Sequence, residues 1–237
     1  MTNGRGGGNA DLEQDREIRL LKHHVAEMAE LAVGMVADGA RALLNGDAEL
    51  RSSVVGRDAP LDRYDLNIET EAIRLVAMMQ PEGRDLRTIE AVLKVANCVD
   101  RIGRLGYDLA RNISGEKLPS EDTHPLLRRM DERARSMVDQ AIHAFVAGDA
   151  AEARAVFAMD DEVDALYHQV QGRLIELMRA GGSAVDRYAY ELLASRHLER
   201  VADNACKIAE KTVYAVTGER RSEYFPPRSH DSTRRAK

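Results

Sequence analysis

Two acidic pairs carry the strongest chemical signal in this sequence. Asp160 and Asp164 are four residues apart, and so are Glu199 and Asp203. At helical spacing each pair stacks on one face. Each acid also follows a residue of an apolar stripe spaced three and four apart: Met159 and Val163 for the first pair, Leu198 and Ala202 for the second. If two consecutive helices pack along those stripes, four carboxylates converge. Like charges four apart cost a helix ~0.3 kcal/mol, and more beside a packed seam unless a cation neutralises them. Carboxylate oxygens suit hard cations, and carboxylates in helical bundles hold iron or manganese. The spacing therefore points to a metal site of Asp160, Asp164, Glu199 and Asp203, with Glu210 continuing the stripe. It equally describes a charged flank, solvated or paired with Arg196, Arg200 or Lys207.

The first half of the chain holds a weaker version. Asp58, Asp62, Asp65 and Glu69 share one stripe, and Asp100 lies on the following helix. Arg104 stands where the pattern calls for another acid. It is expected to pair with Asp62 or Asp100 and so occupy the place of a cation. Asp58, Asp62 and Asp100 are thus secondary metal candidates.

Other chemistries find little support. A di-iron bundle enzyme needs Glu-x-x-His on each of two helices. The only such pair here is Glu121 to His124, directly before Pro125. His168 lies one turn past Asp164 and reads as either a ligand or a surface residue. No HExxH, phosphate-binding glycine loop or GxSxG elbow occurs, so no catalytic residues and no enzyme are expected. Cys98 and Cys206 form no CxxC pair, which argues against a disulfide framework.

The elements that must position these acids are helices. Of the 237 residues, 44% are apolar but only 4% aromatic, so core volume comes from Leu, Val, Ile, Met and Ala. β-branched alternation bounded by turns is absent. Six helical stretches are expected near 11–45, 48–79, 84–114, 123–147, 150–180 and 184–217. Asn45-Gly46-Asp47 and Gly148-Asp149 combine a helix stop with an N-cap. Gln80-Pro81-Glu82-Gly83, Leu118-Pro119-Ser120 and Gly181-Gly182-Ser183 supply the other breaks. Gly56 and Pro60 predict a kink or late start in the second stretch.

The stretches repeat. Gly46-Asp47 recurs as Gly148-Asp149, and Asp58 and Asp62 recur as Asp160 and Asp164, both with an offset of 102. Asp100-Arg101-Ile102 recurs as Glu199-Arg200-Val201 with an offset of 99. The fold class is therefore all-α, two tandem three-helix bundles with antiparallel neighbours. The expected division is a flexible arm at 1–10, bundles at 11–118 and 119–220, and a basic tail at 221–237. Small residues on the seams, Gly103 and Gly106 among them, predict close backbone approach, since glycine inside a helix costs ~1 kcal/mol against alanine.

A formal charge of −6 and a pI near 5.7 give no electrostatic footprint for nucleic acid. The N-terminus has no apolar signal region, and no apolar run reaches the length of a membrane span. A cytoplasmic protein with at most peripheral membrane contact is expected.

The stretch Leu193 to Gly218, with Arg196-His197-Leu198-Glu199-Arg200-Val201-Ala202-Asp203-Asn204-Ala205, Ile208-Ala209-Glu210 and Tyr214, resembles the signature helix of the PhoU family. Gln80-Pro81, Asp85-Leu86-Arg87 and Asp100-Arg101-Ile102-Gly103 supply the first-half copy, so the resemblance spans about residues 15 to 218. It implies a non-catalytic regulator that keeps phosphate uptake and the phosphate-starvation response off when phosphate is plentiful. The implied partners are the ATPase subunit of the phosphate ABC transporter and the phosphate sensor histidine kinase, and a homodimer is expected. The resemblance also implies a multivalent metal (iron, zinc or manganese) on acid-x-x-x-Asp motifs. Carried over, these fall on Glu199 and Asp203, and on Asp160 and Asp164. The family's first signature would end in Asp, where this chain has Arg104. In the second, a frequent His is Asn204 and a frequent Asn is Lys207. The rival reading is a metal-handling protein or metalloenzyme working through the same carboxylates.

Overall fold

The computed structural model describes residues 7–111, 118–180 and 184–220. Among them are seven helices and no strand: α1 (Gly7–Asn45), α2 (Ala48–Val55), α3 (Asp58–Met79), α4 (Gly83–Arg111), α5 (His124–Ala147), α6 (Ala150–Arg179) and α7 (Val185–Thr217). Both units repeat one plan. In the first, α2 and α3 together take the place that α6 takes in the second.

Heptad spacing explains the packing. Along α1 the inward residues Ile18, Leu21, Val25, Met28, Ala32 and Met35 alternate three and four apart, and all are buried. Ile89, Val92, Ala96, Val99, Gly103, Gly106 and Ala110 do the same on α4. On α7 the sequence is Tyr188, Glu191, Ser195, Leu198, Ala202, Ala205, Ala209 and Thr212. Such seams give shallow-angle, interdigitated helix pairs. The helices α1, α4, α7 and α5 form a central four-helix layer. The α2–α3 segment packs on α1 and α4, and α6 packs on α5 and α7.

The two units share their punctuation. Gly46 and Gly148 both take a left-handed φ of 69° after α1 and α5. Glycine adopts that conformation without steric cost. The amides of Asp47 and Asp149 then bond back to the carbonyls of Ala42 and Ala144, closing the helix as in a Schellman motif. The same aspartates cap the next helix. Asp47 accepts the amides of Glu49 and Leu50, and Asp149 those of Ala151 and Glu152.

Two expectations need correction. The second stretch is two helices, not one kinked helix. The break lies at Gly56-Arg57, where Arg57 reaches back to the buried Asp38 on α1 at 2.7 Å, beside the Asp38–Arg41 pair. That ion pair ties the turn to the neighbouring helix, and Pro60 sits in the first turn of α3, where its missing N–H costs little. In addition, α1 begins at Gly7, so residues 7–10 of the expected arm are helical backbone. A formed helix extends past its packed face because each added residue brings one hydrogen bond. Residues 1–6 and the tail at 221–237 lie outside the described residues.

Across the middle of the molecule α4 meets α7 antiparallel and with twofold character. Burial pushes the Cys98 thiol up while Lys207, on the facing helix, pulls it back. Burial pushes His197 down while Asp108, again on the facing helix, raises it. The repeat offset of 99 makes Cys98 equivalent to His197 and Asp108 equivalent to Lys207. The two electrostatic relations are therefore equivalent under the repeat, as expected where equivalent helices face each other.

Candidate functional site

The seam of α7 fixes the direction of its acids. With Leu198 and Ala202 buried in the core, Glu199 and Asp203 are rotated toward α6. On α6, Val163 and Leu166 are buried, Asp160 sinks to 3% exposure, and Asp164 remains half-buried. The four acids singled out from the sequence do come together. Burial raises the Glu199 carboxyl above its ordinary value, and Asp203, Asp164 and Asp160 add to the rise, while Arg196 opposes it.

Glu199 is the centre of this group. Its Oε1 accepts a hydrogen bond from the Arg196 guanidinium at 2.7 Å. Its Oε2 is buried with no hydrogen-bond partner among the described residues. A buried carboxylate oxygen without a partner is costly unless a proton or a cation satisfies it. In donor type the set fits a hard or borderline multivalent cation. In geometry it is a field of negative charge, not a finished coordination sphere: among the described residues no three His, Cys, Asp or Glu side chains stand in ligand arrangement. Ligation requires side-chain rotation on α6 and α7, with Glu199 exchanging Arg196 for the ion.

The neighbouring candidates fall elsewhere. His168 is exposed and stacks obliquely near Tyr167. Glu210 leaves the acidic group and lines a cavity of about 270 Å³ with Glu90, Lys211, Tyr214 and Arg220. Of the expected cations, Arg196 pairs with Glu199.

The first-half acids are brought together as well, around an arginine. Arg104 Nη2 lies 2.7 Å from Asp62, its Nε 3.0 Å from Asp100, and its Nη1 3.4 Å from Asp58. Asp65 stands in the same field: burial, Asp100 and Glu69 raise its carboxyl, and Arg104 lowers it.

Sequence reasoning missed Glu191. It is 1% exposed and accepts the Ser120 amide at 3.0 Å and the Thr123 hydroxyl, fastening the connection before α5 to the start of α7. Its signal was available: an acid on the seam register between Tyr188 and Ser195 needs a buried partner.

Comparison with known proteins agrees with this architecture. The family model described as "PhoU domain" matches twice, at residues 25–113 and 127–212. The phosphate-specific transport system accessory protein PhoU homolog of Rhizobium meliloti is 30% identical over 86% of this chain and 87% of its own length. The homolog of Aquifex aeolicus is 31% identical over 86% of this chain and 93% of its own. The crystal structure of PhoU from Pseudomonas aeruginosa superposes with a TM-score of 0.82 at 30% identity, covering 86% of this chain and 99% of that one. The phosphate transport system regulatory protein PhoU from Streptococcus pneumoniae gives 0.79 at 25% identity, covering 87% and 98%.

Proposed function

The chain belongs to the PhoU family, and from that premise we propose that it is a non-catalytic accessory protein of a phosphate-specific transport system. It acts as a negative regulator of phosphate uptake and of phosphate-starvation signalling, and works from the cytoplasm. Its partners are the ATPase subunit of the phosphate ABC transporter and the phosphate sensor histidine kinase, and it acts as a homodimer. The carrying observation is that PhoU domains cover both units, on relatives named for phosphate-specific transport. No described helix is long and apolar enough to cross a membrane, which suits a protein that meets the transporter from outside the bilayer.

The second unit adds metal responsiveness. Asp160, Asp164, Glu199 and Asp203 hold a multivalent cation, with iron, zinc and manganese the candidates by donor type. A bound ion would offset about half or more of the charge of the four carboxylates and clamp α6 to α7. The buried Glu199 Oε2 supports this reading. In that role Asp160 and Glu199 supply the buried ligands, and Arg196 balances the charge when no ion is present.

Deletion of the gene tests the regulatory role: phosphate-starvation genes are expected to be expressed in high phosphate. Normal repression in a strain with no second copy of the family would refute it. Capture of the ATPase subunit or the sensor kinase by the purified protein tests the partners, and failure with both in every phosphate condition counts against them. Metal content of purified wild type, Asp160→Ala and Glu199→Ala proteins tests the site. Equal content in all three removes it.

A further inference from the structure

Arg104 uses its entire guanidinium on acids. Nε serves Asp100 on its own helix, one turn earlier, while Nη1 and Nη2 cross to Asp58 and Asp62 on α3. The repeat offsets align this group with the second-unit cluster position by position. Asp58 and Asp62 correspond to Asp160 and Asp164, Asp100 to Glu199, and Arg104 to Asp203. The two clusters therefore differ in formal charge by two units at one position, −2 against −4.

We propose that Arg104 is a resident counter-cation that closes the first unit's carboxylate cluster to metal, so that only the second unit of this chain responds to metal. The planar fork of an arginine satisfies several carboxylate oxygens at once, carries its charge at every physiological pH, and is neither exchanged nor removed by a chelator. It bridges α3 to α4. In the second unit Asp203 leaves the corresponding place without a covalently attached cation, and Arg196, one turn before Glu199 on the same helix, pairs with Glu199 without the three-carboxylate bridge that Arg104 makes. The metal response of the second unit rests on the function proposed above. The closure of the first does not, because it follows from the three ion pairs of Arg104.

The test uses the full chain and Mn²⁺ as the probe, read by thermal melting and by elemental analysis of bound manganese. In an Asp160→Asn/Glu199→Gln background, which silences the second cluster, no manganese-dependent shift is expected. Adding Arg104→Asp to that background is expected to create one: a rise of about 8 °C at Mn²⁺ a hundredfold above its Kd, with about one equivalent bound. Arg104→Gln, a milder change, is expected to lower the metal-free melting point and to recover it with Mn²⁺. The proposal is overturned if the silenced background still binds manganese and loses it on Asp62→Asn. It is also overturned if the folded Arg104 variants gain no manganese response. Should wild type bind no manganese while the Arg104→Asp variant does, the closure stands and the second-unit metal reading fails.

Discussion

Gly39 on α1 and Gly106 on α4 meet backbone to backbone. A Cβ on Gly39 would strike the Gly106 carbonyl oxygen, and a Cβ on Gly106 would lie 2.6 Å from both the Met35 carbonyl carbon and the Val36 amide nitrogen. Backbone cannot rotate away as a side chain can, so α1 and α4 are held at a separation that only glycine permits. The helix carrying Asp100 and Arg104 is thereby seated rigidly against α1.

Gly106→Ala is expected to destabilise the fold by about 1–3 kcal/mol, the usual scale for overpacking. Gly103→Ala is expected to cost less, because its new methyl meets only the end of the Leu61 side chain. Urea denaturation of the two variants provides the comparison, and equal losses would show that the α1–α4 backbone contact is not limiting.

Gly172→Ala should do the opposite. Gly172 is exposed within α6, and nothing lies within 4 Å of an added Cβ. Alanine then brings its full helix-propensity advantage of about 1 kcal/mol, or roughly 3 °C in the melting temperature for a chain of this size. A drop in melting temperature would mean that this glycine serves a contact with another molecule.

Glu191→Ala is expected to cost about 2–3 kcal/mol, since it strands the buried Ser120 amide and leaves the Thr123 hydroxyl only its bonds to Ser120. Urea midpoints measure it. A loss no greater than that of a surface Glu→Ala control would show that the connection before α5 is held by other groups.

Much of this arrangement was legible in the sequence because its causes are local. Gly46-Asp47 and Gly148-Asp149 end one helix and cap the next within a few residues, so motif and structure coincide. The convergence of Asp160, Asp164, Glu199 and Asp203 followed from register alone. What was hidden depends on distant partners. The break at Gly56-Arg57 is tied down by Asp38, nineteen residues before Arg57, and the role of Glu191 is set by residues about seventy positions away. Gly106 called for a packing reason, but nothing near it named Gly39 as the neighbour.

The raised Glu199 carboxyl gives a pH signature. A folded-state value above the ordinary 4.5 means that the native state takes up the proton more readily than the unfolded chain. Above the folded value the ionised group therefore weakens the metal-free fold. That penalty fades as pH falls through the folded value toward 4.5. Metal-free Glu199→Gln should accordingly melt above wild type at pH 8, with the gap narrowing toward pH 5. Melting curves in chelator at several pH values decide it, and a gap that stays constant would show that Glu199 is not strained by its neighbours.

The facing of α4 and α7, with Lys207 near enough to act on Cys98 and Asp108 on His197, carries a consequence for ancestry and assembly. A surface on which each half offers the other the same two positions is isologous, the relation found between subunits of a twofold dimer. Here it runs inside one polypeptide. Such a face does not distinguish a tethered sibling from a free one, and only the covalent connection between Arg111 and His124 raises the sibling's local concentration enough to win. The present chain thus has the internal symmetry of a dimer joined in one polypeptide. Once joined, the halves were free to diverge, and at Arg104 and Asp203 they have.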